Sequence, residues 1–290
     1  MFKKIVVPLD GSTNAEITIP YVASIGIHSS AEINLVSVAD RRISDVDQLH
    51  HAYLDHMTEQ MQQLFRNSAK GAVSTVRNDV LEGNPFKEIL YYADKISADL
   101  IAMASRGFSG QKLPLLGGVA VKILWATKKP VLLVRAPAND KAIGEPKQIK
   151  RILIPLDGSK AGEAAIEPAV SLTAAMDAEL ILLQVVEPIT FVAGYDTLTP
   201  LAIPSNEDIK DAATSYLKSQ AKQLKTKVSK VSIEAIWGSA AETIIDYAEK
   251  QNIDLIALSA HGRSNVSRWV FGSVTEKLLH VGQTALLIVR

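Results

Sequence analysis

The sequence contains one long pattern twice. Residues 3–12 read Lys-Lys-Ile-Val-Val-Pro-Leu-Asp-Gly-Ser, and residues 150–159 read Lys-Arg-Ile-Leu-Ile-Pro-Leu-Asp-Gly-Ser. The agreement returns near the end of each half. There Ala-Ser-Arg-Gly (104–107), Gly117 and Val-Leu-Leu-Val-Arg (131–135) stand against Ser-Ala-His-Gly (259–262), Gly272 and Leu-Leu-Ile-Val-Arg (286–290). A repeat of this length, present twice, predicts a duplicated domain rather than a solenoid of short units. Each candidate site therefore comes in two versions, and their differences can be compared residue by residue.

The spacing of the two copies shows where they part. Pro8 matches Pro155 with a shift of 147, whereas Gly83, Gly107 and Arg135 match Gly238, Gly262 and Arg290 with a shift of 155. The second copy thus holds eight extra residues, net, between its front and its middle. The aperiodic stretch Pro188–Pro204, rich in Pro, Thr and Gly, is the expected place, read as a long surface loop. The pattern divides the chain into a domain at 1–136, a polar Pro- and Gly-containing linker at 137–149 and a second domain at 150–290.

Composition narrows the function classes. With 47% hydrophobic residues, two halves of this size can each fill a core. The 31 basic residues balance 31 acidic ones, so no global field attracts nucleic acid or an anionic membrane. There is no cysteine, which excludes disulfides, thiol catalysis, iron–sulfur clusters and cysteine-held zinc. The sequence opens on a strand pattern and has no apolar run of roughly 18 residues, so the expectation is a soluble, cytoplasmic protein.

Within each half, short apolar runs alternate with helical periodicity. Ile5–Pro8 reads as a strand buried on both faces, Asp10-Gly-Ser12 as turn and cap, and Ala15–Ile27 as a helix. Strands follow at Ile33–Val38, Val73–Val80, Leu100–Ala104 and Val131–Arg135, with helices between them; the second half repeats the series. Such alternation predicts an α/β fold, two tandem doubly wound parallel sheets.

In such sheets, ligands bind beyond the carboxyl ends of the strands. Asp157, Val185, Ser259-Ala-His-Gly262 and Gly272-Ser273 all fall there. Small residues let a phosphate approach the backbone, and the amides of Gly272, Ser273 and Val274 are expected to stand unpaired at a helix N-terminus, where the dipole favours an anion. Ser273 adds a hydroxyl, His261 or Arg263 a positive charge, and Asp157 a carboxylate for ribose hydroxyls or a nucleotide-bound Mg²⁺. Pro155, Leu156, Leu258 and Thr275 flank these positions. In the first half the matching set is Pro8, Leu9, Asp10, Val38, Ala104, Gly107, Gly117, Gly118 and Val119.

With those residues in view, the chain resembles a tandem universal stress protein, two such domains fused, over nearly its whole length outside the linker. The ATP-binding members of that family carry Gly-x2-Gly-x9-Gly-Ser/Thr after the fourth strand. Here the second copy reads Ser259-x2-Gly262-x9-Gly272-Ser273, departing at the first glycine. The first copy reads Ala104-x2-Gly107-x9-Gly117-Gly118, departing at the first glycine and at the final hydroxyl. The family's first-strand aspartate corresponds to Asp10 and Asp157, and its second-strand valine, whose backbone meets adenine, to Val38 and Val185. The resemblance implies a Rossmann-like fold of the adenine nucleotide alpha-hydrolase kind and adenine nucleotide (ATP, ADP or AMP) as ligand. The missing hydroxyl at Gly118 implies a weaker first site. Such domains pair through their last strands, so Leu132–Val134 and Leu287–Val289 are expected to join within the chain as a pseudo-dimer; dimerisation between chains is a further expectation.

Function is expected to be nucleotide-dependent regulation in a stress response, through a protein partner the sequence does not identify. The alternatives are a slow ATPase and an interaction module without nucleotide. No Walker A motif or Ser-Gly-Gly-x-Asp-Ser loop is present, and no catalytic residue is assigned. For the glycines, the competing explanation is a turn needing positive φ. His50, His51 and His56 read as a solvated helix face, Trp125 and Trp237 as packing or interface residues, and Trp269 as packing, interface or pocket lining.

Overall fold

Ile5, Val6 and Val7 are all completely buried, which only a strand covered on both faces allows. They belong to β1 (Lys4–Pro8), the middle of the first half. The computed structural model describes residues 2–39, 46–68, 74–107, 116–135, 144–187, 205–262 and 271–290. Further strands are β2 (Glu32–Ala39), β3 (Val76–Glu82), β4 (Leu100–Ala104), β5 (Val131–Val134), β6 (Arg151–Pro155), β7 (Glu179–Val186), β8 (Lys230–Trp237), β9 (Leu255–Ser259) and β10 (Ala285–Val289). The helices are α1 (Thr13–Glu16), α2 (Thr18–Ser29), α3 (Val46–Arg66), α4 (Pro85–Lys95), α5 (Gly118–Ala126), α6 (Ile166–Met176), α7 (Asn206–Leu224), α8 (Ala240–Lys250) and α9 (Ser273–Val281).

These strands form one sheet in the order β3-β2-β1-β4-β5-β10-β9-β6-β7-β8. Neighbours within each half are parallel, and β5 meets β10 antiparallel, with Leu133 opposite Leu286 and Leu132 opposite Leu287. The two halves are thus a pseudo-dimer inside one chain, and the pairing covers two apolar edges that would otherwise template aggregation.

Alternation along the strands divides the core into two layers. Ile5, Val7, Ile33 and Leu35 pack with α2 and α3, while Val6, Val36, Ile101 and Met103 pack with α4 and α5. Both layers run through the seam: Leu132 and Leu287 lie in one, Leu133 and Leu286 in the other.

The single helix expected over Ala15–Ile27 is two helices that meet at Ile17. Pro20 has no amide for the Glu16 carbonyl, and its ring crowds that carbonyl four residues back. Ser12 caps α1, its hydroxyl accepting from the Ala15 amide at 3.2 Å.

Matched hydrogen bonds refine the comparison of the copies. Tyr53 donates to Glu16 at 3.1 Å, and Tyr216 donates to Glu163 at 2.9 Å. The glutamates are 147 positions apart but the tyrosines 163. The net excess of eight is therefore sixteen residues gained before α7 and eight lost between α7 and β8. Residues 188–204 themselves lie outside the described residues.

Each half ends on an arginine that reaches over the seam. Arg135 donates to the carbonyls of Leu278 (2.7 Å), Leu279 and Gly282, at the C-terminus of α9. Arg290 donates to the Trp125 carbonyl at 2.6 Å, at the C-terminus of α5. A guanidinium placed there satisfies orphan carbonyls and the negative end of the helix dipole.

Candidate functional site

In each half, β1 or β6 is flanked by β2 and β4 or by β7 and β9, and the order of the strands reverses there. Crevices open at such switch points. Beyond the carboxyl ends of β6 and β9 lies a cavity of about 300 Å³. The structure brings together there Pro155, Leu156 and Asp157, then Val185, then Leu258, Ser259, His261 and Gly262, then Gly272, Ser273, Val274 and Thr275. Arg263, Trp269 and the rest of 263–270 lie outside the described residues. The matching cavity of about 420 Å³ in the first half is lined by Pro8, Leu9, Asp10, Val38, Ala104, Gly107, Gly117, Gly118 and Val119, as grouped from the sequence.

The aspartates are fixed by the turn that follows them. Asp157 Oδ1 accepts from the Ser159 amide at 2.9 Å and from its hydroxyl at 2.6 Å, and Ser159 Oγ accepts in turn from the Gly162 amide. Asp10 and Ser12 repeat this arrangement. The other oxygen, Oδ2, faces the glycine after β9 or β4. A Cβ built on Gly262 would stand 2.6 Å from Asp157 Oδ2, and one on Gly107 would collide with Asp10 Oδ2.

That contact explains two glycines by crowding, and none of the four by turn geometry. Among the described residues, the glycines with positive φ are Gly11, Gly83, Gly158 and Gly238. Gly117 (φ −64°) and Gly272 (φ −60°) are extended and cap α5 and α9, with no side-chain hydrogen bond at either cap. A Cβ on Gly272 would touch nothing closer than 3.8 Å, and one on Gly118 would meet open space. Small residues at these mouths keep a cavity open rather than relieve a clash.

One amide differs from expectation. Gly272 donates to the Ala260 carbonyl at 3.0 Å, and Gly117 likewise to Ser105 at 2.8 Å, because each loop must close back onto its strand. The first intrahelical bonds run from Glu276 to Gly272 and from Val121 to Gly117. The amides left without an intrahelical acceptor are therefore those of Ser273, Val274 and Thr275, and of Gly118, Val119 and Ala120. The Thr275 hydroxyl is committed, donating to the Ser259 carbonyl at 3.1 Å. The His261 amide bonds Ser259 Oγ, while its buried Nε2 has no hydrogen-bond partner among the described residues.

Several lining residues escaped the sequence reading. Ala240 and Ile244, one turn apart on α8, close the second cavity, as Pro85 and Ile89 on α4 close the first. Their helical spacing was the available signal. His50 corrects the solvated-face expectation: it lines the first cavity and is held by Ser37 Oγ at 2.6 Å from Nδ1. His51 and His56 are exposed. Arg106 and Lys122 also line the first cavity. Behind it, burial first and Asp10's charge after it hold the Glu16 carboxyl above its ordinary value. Burial, together with the Glu163 hydrogen bond and charge, pushes the Tyr216 phenol far up.

Trp125 lies at the seam and stays exposed, its ring edge-on to Phe271 at 6.1 Å. No helix among the described residues is long and apolar enough to cross a membrane.

Comparison with known proteins fits this arrangement. The model of the universal stress protein family matches residues 1–135 and again 148–290. Universal stress protein Slr1230 of Synechocystis is 23% identical over 322 residues, covering 99% of this chain and 100% of that protein. Universal stress protein MJ0531 of Methanocaldococcus jannaschii is 27% identical over 146 residues, covering 49% of this chain and 82% of that protein. Among solved structures, a universal stress protein from Archaeoglobus fulgidus superposes with a TM-score of 0.68 at 21% identity, covering 99% of this chain and 98% of that one. A structure from Pseudomonas aeruginosa gives 0.71 at 16% identity, covering 99% and 93%. At these identities the structural likeness is one of fold.

Proposed function

The chain belongs to the universal stress protein family, and we propose that it is an adenine-nucleotide-binding regulatory protein whose second half is the stronger site. The observation that carries this reading is the mouth of α9. Three amides without intrahelical acceptors, those of Ser273, Val274 and Thr275, stand at a helix N-terminus on the wall of a cavity. Gly272 beside them is required neither by backbone conformation nor by packing. A polyphosphate bound there takes the amides and the Ser273 hydroxyl. Val185 and Ile244 offer apolar contact to a base, and Asp157 faces a ribose.

The residues present suit a nucleotide that brings its own cation better than a resident metal. No group of three or more His, Cys, Asp or Glu side chains able to hold an ion occurs among the described residues. Asp157 is then the carboxylate nearest a nucleotide-bound Mg²⁺. The units we assign are domain 1 (1–136), linker (137–149) and domain 2 (150–290), with the first cavity as a second, weaker site.

The test is the ultraviolet spectrum and intact-ligand mass of gently purified protein, followed by titration with ATP, ADP and AMP. Co-purified nucleotide, or saturable binding lost in Gly272→Val, is the expected result. Protein free of nucleotide that takes up none at millimolar concentration contradicts the reading.

A further inference from the structure

The sheet ends on β3 in the first half and on β8 in the second, and among the described residues neither strand has a neighbour on its outer side. An outer strand presents unpaired amides and carbonyls, and charged or polar side chains keep it from pairing with another chain. The two copies differ here. With the shift of 155, Arg77, Asn78, Asp79 and Glu82 of β3 correspond to Ser232, Ile233, Glu234 and Trp237 of β8. Asn78 is also tied to α3, donating to Asp55 at 3.0 Å and to Thr58 at 2.9 Å. On β8, by contrast, Val231, Ile233, Ala235, Ile236 and Trp237 are all only half-buried. We propose that the outer edge of β8 is the surface through which two copies of this chain dimerise, their β8 strands running antiparallel about a twofold axis at Ser232.

The backbone and the charges set that register. The Gly238 amide donates to the Val186 carbonyl, so alternation turns the even-numbered residues of β8 toward β7. The amides and carbonyls of Val231, Ile233, Ala235 and Trp237 therefore point outward. A twofold axis makes the interface self-complementary, each contact occurring twice. With the axis at Ser232, Val231 exchanges backbone hydrogen bonds with the partner's Ile233, and Lys230 stands opposite the partner's Glu234.

Lys230 and Glu234 are both exposed, and neither forms an ion pair among the described residues. Four positions apart on one strand, about 13 Å, they are out of each other's reach within a chain. Across the axis each meets its opposite charge. An axis at Ile233 would set Lys230 against Ile236, and one at Glu234 would set the two carboxylates face to face. A strand from a different protein is the other class of occupant, and nothing in it would require the charges of Lys230 and Glu234 to be exchangeable.

The test is sedimentation of full-length protein from about 1 to 100 μM, with circular dichroism to confirm that each variant folds. Wild type is expected to dimerise. Lys230→Glu and Glu234→Lys each set like charges opposite one another and are expected to weaken the dimer about tenfold or more; the two together are expected to restore it. A second readout does not depend on those variants. The chain has no cysteine, so Ser232→Cys supplies a single thiol. On the axis its Cα lies about 4.5 Å from that of its copy, within reach of a disulfide. Mild oxidation is expected to give covalent dimer from Ser232→Cys and none from Ser239→Cys. Wild type that stays monomeric, single reversals that leave the dimer unchanged, a double variant no tighter than the single ones, or Ser232→Cys that cross-links no faster than Ser239→Cys overturns the proposal.

Discussion

Asp157 and Gly262 share a volume with no room for another methyl group: a Cβ on Gly262 would lie 2.6 Å from Asp157 Oδ2. Asp10 and Gly107 repeat the relationship in the first half. The glycine lets the loop after the fourth strand of each half close over the aspartate, and so brings a carboxylate and a helix N-terminus to the same crevice.

Gly262→Ala should therefore displace the Asp157 carboxylate and cost about 1–3 kcal/mol of stability. Adding Asp157→Ala should recover part of the loss, because the crowded pair is gone. Urea denaturation of the two single variants and the double variant measures this coupling. Strictly additive losses would show that the contact does not constrain the loop.

Gly272 should separate stability from binding. Its Cβ position is uncrowded, so Gly272→Ala should cost only about 0.5–1 kcal/mol, the difference between glycine and alanine at a helix N-cap. Nucleotide affinity should fall by about tenfold or more, since the methyl stands where phosphate approaches. Thermal melts and titrations on one preparation compare the two effects.

Removing an arginine cap should loosen the seam. Arg135→Met leaves three carbonyls at the end of α9 without their donor and should cost about 2–4 kcal/mol. Arg290→Met, with one such bond, should cost less. Hydrogen exchange at the last turn of α9 should rise in the first variant and not in the second.

Glu16 gives a pH signature. Its carboxyl is raised by partial burial and by Asp10, against the Tyr53 hydrogen bond and His56, which lower it. The unfolded chain thus ionises more readily than the folded one. Stability is lost as pH rises from the ordinary value of 4.5 through the raised folded value, and stays lost at neutral pH. Glu16→Gln keeps an acceptor for Tyr53 and removes the titration. Its thermal midpoint should exceed wild type at pH 7 and lose that advantage near pH 4; equal differences at both would contradict the assignment.

Much of this was legible in the sequence because the repeat made it so. The apolar runs at Ile5–Pro8 and Val131–Arg135, with their copies, carried the parallel sheet; the seam followed from the resemblance, whose domains pair through their last strands. Asp157, Gly262 and Gly272 could be grouped because a doubly wound fold sends the ends of β6 and β9 to one crevice. What was hidden depends on contacts between distant segments. Nothing local shows that the Gly272 amide turns back to Ala260, or that Ser37 draws His50 out of solvent. Nor does the linear pattern show Arg135 crossing to the far half. Pro20 is different: its break is a local signal that apolar periodicity outweighed.

The most direct measurement is calorimetric titration of ATP into wild type, Gly117→Val and Gly272→Val. Wild type is expected to bind saturably, Gly272→Val to lose the stronger site, and Gly117→Val to keep it. No heat of binding in wild type, or an isotherm unchanged by Gly272→Val in a folded variant, would contradict the claim that the N-terminus of α9 grips the phosphates.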